Sequence, residues 1–74
     1  MPLTFVGIGE VHKILKVKGQ EKSKKFLESL GFVEGAQVTI VSYNQGNIIV
    51  NIKESRVAIS QEMAHKIDVY KRQS

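Results

Sequence analysis

Residues Phe26-Leu27-Glu28-Ser29-Leu30-Gly31-Phe32-Val33-Glu34-Gly35 constrain this chain more than any other stretch. Phe26, Leu27 and Leu30 fall near one helical face, because residues three and four apart lie above one another. Gly31 suits the left-handed residue that ends such a helix. Phe32 is placed to fold back over the last turn, and Glu34-Gly35 to turn the chain again. An alternating run, Ala36 to Tyr43, follows directly. A short helix is therefore expected to be latched onto the start of a small sheet.

The flanking segments read mostly as strands. Glu10 to Val17 carries Val11, Ile14, Leu15 and Val17, with alternation broken at 14 and 15, so a bulge or two-sided burial is expected there. Gly19 marks a turn, and Glu21 to Leu30 is the helix. Asn44-Gln45-Gly46-Asn47 separates two β-rich runs and predicts a hairpin. Ile48, Val50 and Ile52 form one face of the next strand. Glu54-Ser55 makes a tight connection, and Arg56 to Ile59 a fourth strand. Ser60 is placed as an N-cap, with Gln61 and Glu62 in the first turn of a short helix. Ile67 to Tyr70 closes the chain as a last strand, and Lys71 to Ser74 is expected to fray. Ahead of all this, Met1 to Gly9 reads as a lead-in, with Leu3 and Phe5 expected on the core and a turn at Gly7-Ile8-Gly9.

Five short strands in 74 residues favour a closed or nearly closed roll, since closure removes edges that would pair between molecules. The expected fold is mainly β: a small SH3-like β-barrel of about five strands with one inserted α-helix and a short C-terminal helical turn. One domain, 1–74, is expected, with its core over about 3–70. A chain this short buries about 60% of the surface its unfolded form exposes, so the core is thin and a homodimer is compatible with it.

Composition excludes several chemistries. The absence of cysteine removes disulfides, cysteine–zinc sites, iron–sulfur clusters and cysteine nucleophiles. No phosphate-binding GxxxxGK[ST] loop occurs. Ser23, Ser29, Ser42, Ser55 and Ser60 all have ordinary helix, strand or cap explanations, so no catalytic residue is assigned. No apolar run reaches the roughly 20 residues of a membrane span, and no basic region followed by an apolar segment begins the chain. A cytoplasmic protein is expected.

The net charge of +4 is unevenly placed. Residues 11–30 hold Lys13, Lys16, Lys18, Lys22, Lys24 and Lys25 against Glu21 and Glu28, and the remaining acidic and basic residues balance. The excess sits on one strand–helix unit, where it either solvates a helix face or attracts an acidic partner. For a protein partner, Lys22, Lys24 and Lys25 would steer the approach, and Phe32 or Val33 would supply apolar contact. Nucleic acid is the rival partner, but five aromatics and two arginines show no basic–aromatic interleaving. Candidate ligands for a transition metal, iron or zinc, are Glu62 and His65 at i, i+3, with His12, Glu10 and Asp68. None has the i, i+4 pairing of a strong helical site, so only a low-affinity site is expected and no cofactor is required.

Leu30-Gly31-Phe32 with Gly35, Val38-Thr39-Ile40, Ile49-Val50-Asn51-Ile52, Arg56-Val57-Ala58-Ile59-Ser60, Glu62-Met63-Ala64 and Ile67 together resemble the FeoA domain. The resemblance covers about residues 3–70. Two places depart from it. Val33-Glu34-Gly35 lacks the proline often found before the glycine, and Lys53-Glu54-Ser55 lacks a common glycine, which leaves that tight turn less supported. The resemblance implies an SH3-like fold and a role as a cytoplasmic companion of FeoB, a membrane iron permease with a cytoplasmic GTP-binding domain. It implies an adaptor or regulator of ferrous-iron uptake, not an enzyme. A similar SH3-like domain ends iron- and manganese-responsive repressors.

Overall fold

The computed structural model describes residues 1–71. Its elements run β1 (Val11–Val17), α1 (Glu21–Ser29), β2 (Gln37–Asn44), β3 (Asn47–Ile52), β4 (Ser55–Ser60), α2 (Gln61–His65) and β5 (Ile67–Val69), after a single 3-10 turn at Leu3–Phe5. Every expected element is present, with ends displaced by a residue or so. Of the tail expected to fray, residues 72–74 lie outside the described part.

The five strands form one antiparallel sheet in the order β4-β3-β2-β1-β5. β1 is shared between its two halves. Residues 11–13 pair with β2, while Ile14, Lys16 and Val17 pair with β5. The register shifts between Ile14 and Lys16, where the alternation is broken in the sequence. A bulge adds local twist, and here it lets one strand serve both halves. A second shift, between Ile40 and Ser42, bends β2 against β3. The result is the small SH3-like roll, open between β4 and β5. Short α2 spans that gap and packs on both strands.

The two tight hairpins use positive backbone φ. Gln45 and Gly46 have φ of 36° and 85°, the twisted two-residue geometry that matches strand twist. At the other, Lys53 takes φ 56°, so the tight turn forms at Lys53-Glu54 without the glycine whose absence left it less supported. The outer edge of β5 is covered by the start of the chain: Val69 N–H donates to Met1 O at 2.7 Å, and Pro2 bridges Asp68. Among the described residues, no strand covers the outer edge of β4.

The core gathers the inward positions of all five strands: Ile14 and Val17, Val38 and Ile40, Ile48, Val50 and Ile52, Ile59, Ile67 and Val69. Leu3, Val6, Leu27, Phe32 and Ala64 plug its ends. The α1 latch is a full Schellman motif. Gly31 N–H donates to Glu28 O at 3.0 Å and Phe32 N–H to Leu27 O at 3.1 Å, the two bonds that satisfy orphan carbonyls at a helix end. Gly31 takes φ 109°. The chain then returns to β1, where Gly35 N–H donates to Ile14 O and Ile14 N–H to Ala36 O.

Phe5, expected on the core, and Phe26, expected near one helical face with Leu27 and Leu30, both lie outside. Phe5 is 72% exposed, because the 3-10 turn that buries Leu3 points it away. Phe26 is 51% exposed. Neighbours on a helix point about 100° apart, and α1 buries only Leu27, so its immediate predecessor faces solvent.

Gly31→Ala forces a side chain into this backbone region and against Ile52, whose Cγ1 lies 3.4 Å from the added Cβ. A loss of about 1–3 kcal/mol is expected, read from the urea unfolding midpoint at unchanged slope.

Candidate docking surface

α1 presents the basic segment. Lys22 and Lys25 are exposed, and Lys24 is half-buried. α2 begins where β4 ends: Ser60 Oγ accepts from Met63 N–H at 3.1 Å, which is the cap expected from the sequence. Between the two helices, Lys22, Ser23, Phe26 and Met63 line a shallow groove of about 340 Å³. Its floor is apolar and its α1 rim basic. Lys66 reaches the same side, its Nζ donating to Ser23 Oγ at 3.4 Å. Glu21 and Glu28 on α1 and Glu62 on α2 are also exposed nearby in sequence, so the surface is positive on balance and carries both signs. Exposed phenylalanine beside flexible lysine stems is the combination that anchors and steers a protein partner.

The structure corrects one expected contact residue. Phe32 is fully buried, because the Schellman turn folds it under α1 into the end of the barrel, so it offers no surface to a partner. Val33, the next residue, is 37% exposed. Phe26, placed by spacing near one helical face with Leu27 and Leu30, is the aromatic that α1 shows to solvent. Its neighbour across the groove, Met63, is 37 positions away and not legible from local spacing.

The expected metal candidates are dispersed. Glu62 and His65 lie on α2 and are exposed. His12 lies on β1 and is buried, its Nδ1 2.8 Å from Tyr70 O and its Nε2 3.1 Å from Glu10 Oε1. Both ring nitrogens are therefore engaged. Asp68 is also buried, and Lys18 Nζ stands 3.4 Å from its Oδ1. Among the described residues, no three or more of His, Asp and Glu gather where they could hold a metal ion. A larger, open cleft of about 860 Å³ lies beside His12, lined by Val11, Lys13, Glu34, Gly35, Tyr70 and Lys71. Its charges are mixed, and they select no partner by sign. Among the described residues, no helix is long and apolar enough to cross a membrane.

A family model for the FeoA domain matches residues 1–71. The chain belongs to the FeoA family. Solved structures agree with this. An iron uptake regulatory protein, FeoA, determined by sulfur SAD, is 27% identical, with 93% of each chain covered and a TM-score of 0.85. FeoA from Stenotrophomonas maltophilia is 21% identical over 95% of this chain and 89% of that one, with a TM-score of 0.84. That protein was crystallised with zinc and put forward as an SH3-domain ferrous iron transport activating factor. A manganese-dependent transcriptional repressor shares the fold at 16% identity and a TM-score of 0.82, with 90% of this chain matched to 39% of that one. No sequence match is found among curated proteins. The FeoA family is one of iron-transport accessory proteins with an SH3-like domain, and it is not a known enzyme family.

The two phenylalanines flanking the latch should separate in unfolding experiments. Phe32→Ala is expected to lose about 3–5 kcal/mol, and Phe26→Ala to stay within about 0.5 kcal/mol of the parent. Thermal unfolding followed by circular dichroism reads both.

Proposed function

We propose that this FeoA-family chain is a non-enzymatic, cytoplasmic adaptor that modulates ferrous-iron uptake by docking on the cytoplasmic part of a FeoB-type permease. The observation that carries the reading is the α1 surface: a helix that buries one leucine and shows solvent a phenylalanine among lysines. Lys22, Lys24 and Lys25 steer an acidic face of the permease, Phe26 and Met63 receive an apolar side chain, and Val33 extends the contact toward the β2 turn. Burial removes Phe32 from this set. The adaptor acts by binding one conformational or nucleotide state of its partner more tightly than another, since equal affinities shift no population.

A metal is not required for this role. Glu62 and His65 on α2 supply at most two side-chain ligands to a ferrous or zinc ion, which would fit an incidental, low-affinity site. Nucleic-acid binding gains no support, because the groove between α1 and α2 is lined by a single aromatic, Phe26, and the sequence shows no basic–aromatic interleaving for a stacking site.

Titration of the chain against a FeoB-type permease in lipid vesicles, with its GTP-binding domain empty, GDP-bound and GTP-bound, tests the reading. Binding that differs among the states is expected, and absence of binding in all three overturns it. Changing Lys22, Lys24 and Lys25 together to Glu should slow association about tenfold or more at low salt, with the difference fading as salt rises. An unchanged association rate assigns these lysines to solvation alone.

A further inference from the structure

The docking surface on α1 makes no use of β4, the strand at one end of the sheet order. Lys53 and Glu54 form a two-residue turn, so the residues flanking it, Ile52 and Ser55, exchange both backbone hydrogen bonds. Bonded and non-bonded pairs then alternate along the antiparallel ladder, and the register assigns Ser55, Val57 and Ile59 to bonding with β3. Gln61 N–H donates to Gly46 O at 2.9 Å, as this phase requires. The backbone N–H and C=O groups of Arg56 and Ala58 therefore point out of the sheet, and among the described residues no strand lies beyond them. Such a row of groups is a template for another strand.

The side chains leave this edge open. Ser55, Arg56, Ala58 and Ser60 are exposed and, apart from Arg56, small. Arg56 carries the charge of the strand and is turned back over the sheet, its Nε donating to Asn51 Oδ1 on β3 at 3.3 Å. β4 has neither the proline nor the bulge that commonly protects an edge. The opposite edge of the sheet is closed by the chain itself. Val69 N–H donates to Met1 O, the Met1 amine donates to Val69 O at 3.1 Å, and Pro2 bridges Asp68. A second copy can therefore reach β4 with its own β4 and not with its β5. Head-to-tail growth is blocked, and pairing of like with like closes at two copies about a two-fold axis.

We propose that β4 is a self-association edge: two copies of this chain pair β4 against β4, antiparallel, with the two Val57 residues facing each other across the axis. Charge and capping select this register. An axis at Arg56 sets two arginines directly opposite, and like charges so placed destabilise a ladder. An axis at Ala58 calls on Ser60, whose carbonyl is committed to α2 as its N-cap. The axis at Val57 sets Arg56 of each copy opposite Ala58 of the other, with N–H meeting C=O in both directions. It also brings the half-buried Val57 against its counterpart in a non-bonded pair, where side chains lie closest. Two five-stranded sheets become one continuous sheet. A six-residue edge covers less than the roughly 1,200 Å² of a standard stable interface, so the dimer is weak and forms at high protein concentration.

The test is sedimentation equilibrium and backbone amide hydrogen exchange on the intact chain across a wide range of protein concentration. A monomer–dimer equilibrium is expected. Exchange at the Arg56 and Ala58 amides should slow as concentration rises, while the ladder-bonded Val57 and Ile59 amides are slow throughout. Ala58 is exposed, so a charge placed there tests the register without touching the core. In Ala58→Lys each lysine faces an arginine of the other copy, and the dimer dissociation constant should rise about fivefold or more. In Ala58→Glu each glutamate faces that arginine, and the constant should fall by a similar factor. A chain that stays monomeric overturns the proposal, as does a dimer whose protected amides lie outside β4, or Lys and Glu variants that associate alike. Protection of Arg56 and Ala58 that appears only on adding a FeoB-type permease gives the edge to an extended segment of that partner and equally overturns self-pairing.

Discussion

The insertion of Phe32 beneath the end of α1 is the constraint on which the rest of this molecule depends. A chain of 74 residues with a roll of short strands has few apolar side chains large enough to close an end of its barrel. Phe32 is the largest of the fully buried ones. It arrives there because Gly31 takes a left-handed turn that side chains rarely adopt, and because its own amide is tied to the last turn of the helix. That one turn ends α1, fills the barrel and delivers Gly35 and Ala36 to β1. The helix needs no other deep anchor than Leu27, which leaves most of its surface unspent and available to solvent or to another protein.

The burial of Phe32 and the exposure of Phe26 are therefore one event seen twice. With the aromatic after the glycine inside, the buried strip of α1 is only as wide as Leu27, and the aromatic five residues before the glycine stays on the surface. Its position next to Leu27 on the helix decides the rest. The basic charge of the helix follows the same logic. A segment attached by one leucine and a cap is mostly surface, and lysine keeps that surface hydrated while allowing long stems to lie along apolar neighbours. Membership of the FeoA family gives such a surface a setting beside iron transport, and the groove between α1 and α2 gives it a shape.

Much of the architecture was legible from the residues. The broken alternation at Ile14 and Leu15 marked the bulge where β1 passes from one half-sheet to the other. Ser60 marked the α2 cap, and Gln45-Gly46 marked a hairpin. These are short-range signals, in which the residue and its physical cause lie within a few positions. The surface was harder to read. Phe26 sits in an apolar triplet that spacing alone assigns to the core, and only the width of the buried strip on α1 excludes it. The groove joins Phe26 to Met63, and the His12 ring joins Glu10 to Tyr70. Such pairings are set by the closure of the roll, over separations at which sequence periodicity carries no information. Lys53 shows the converse case: a turn with an unfavourable residue still forms, because the pairing of β3 with β4 fixes its register from both sides.

The join between β4 and α2 leaves no spacer between strand and helix. Ser60 is at once the last residue of the strand and the cap of the helix, so the Met63 wall of the groove travels with the sheet. The opposite wall is fastened at both ends, at its entry by Lys18 N–H on Lys66 O and at its exit by Phe32 N–H on Leu27 O. A guest too bulky for the resting gap would have to find its room by rotating the Phe26 and Met63 side chains, not by parting the helices.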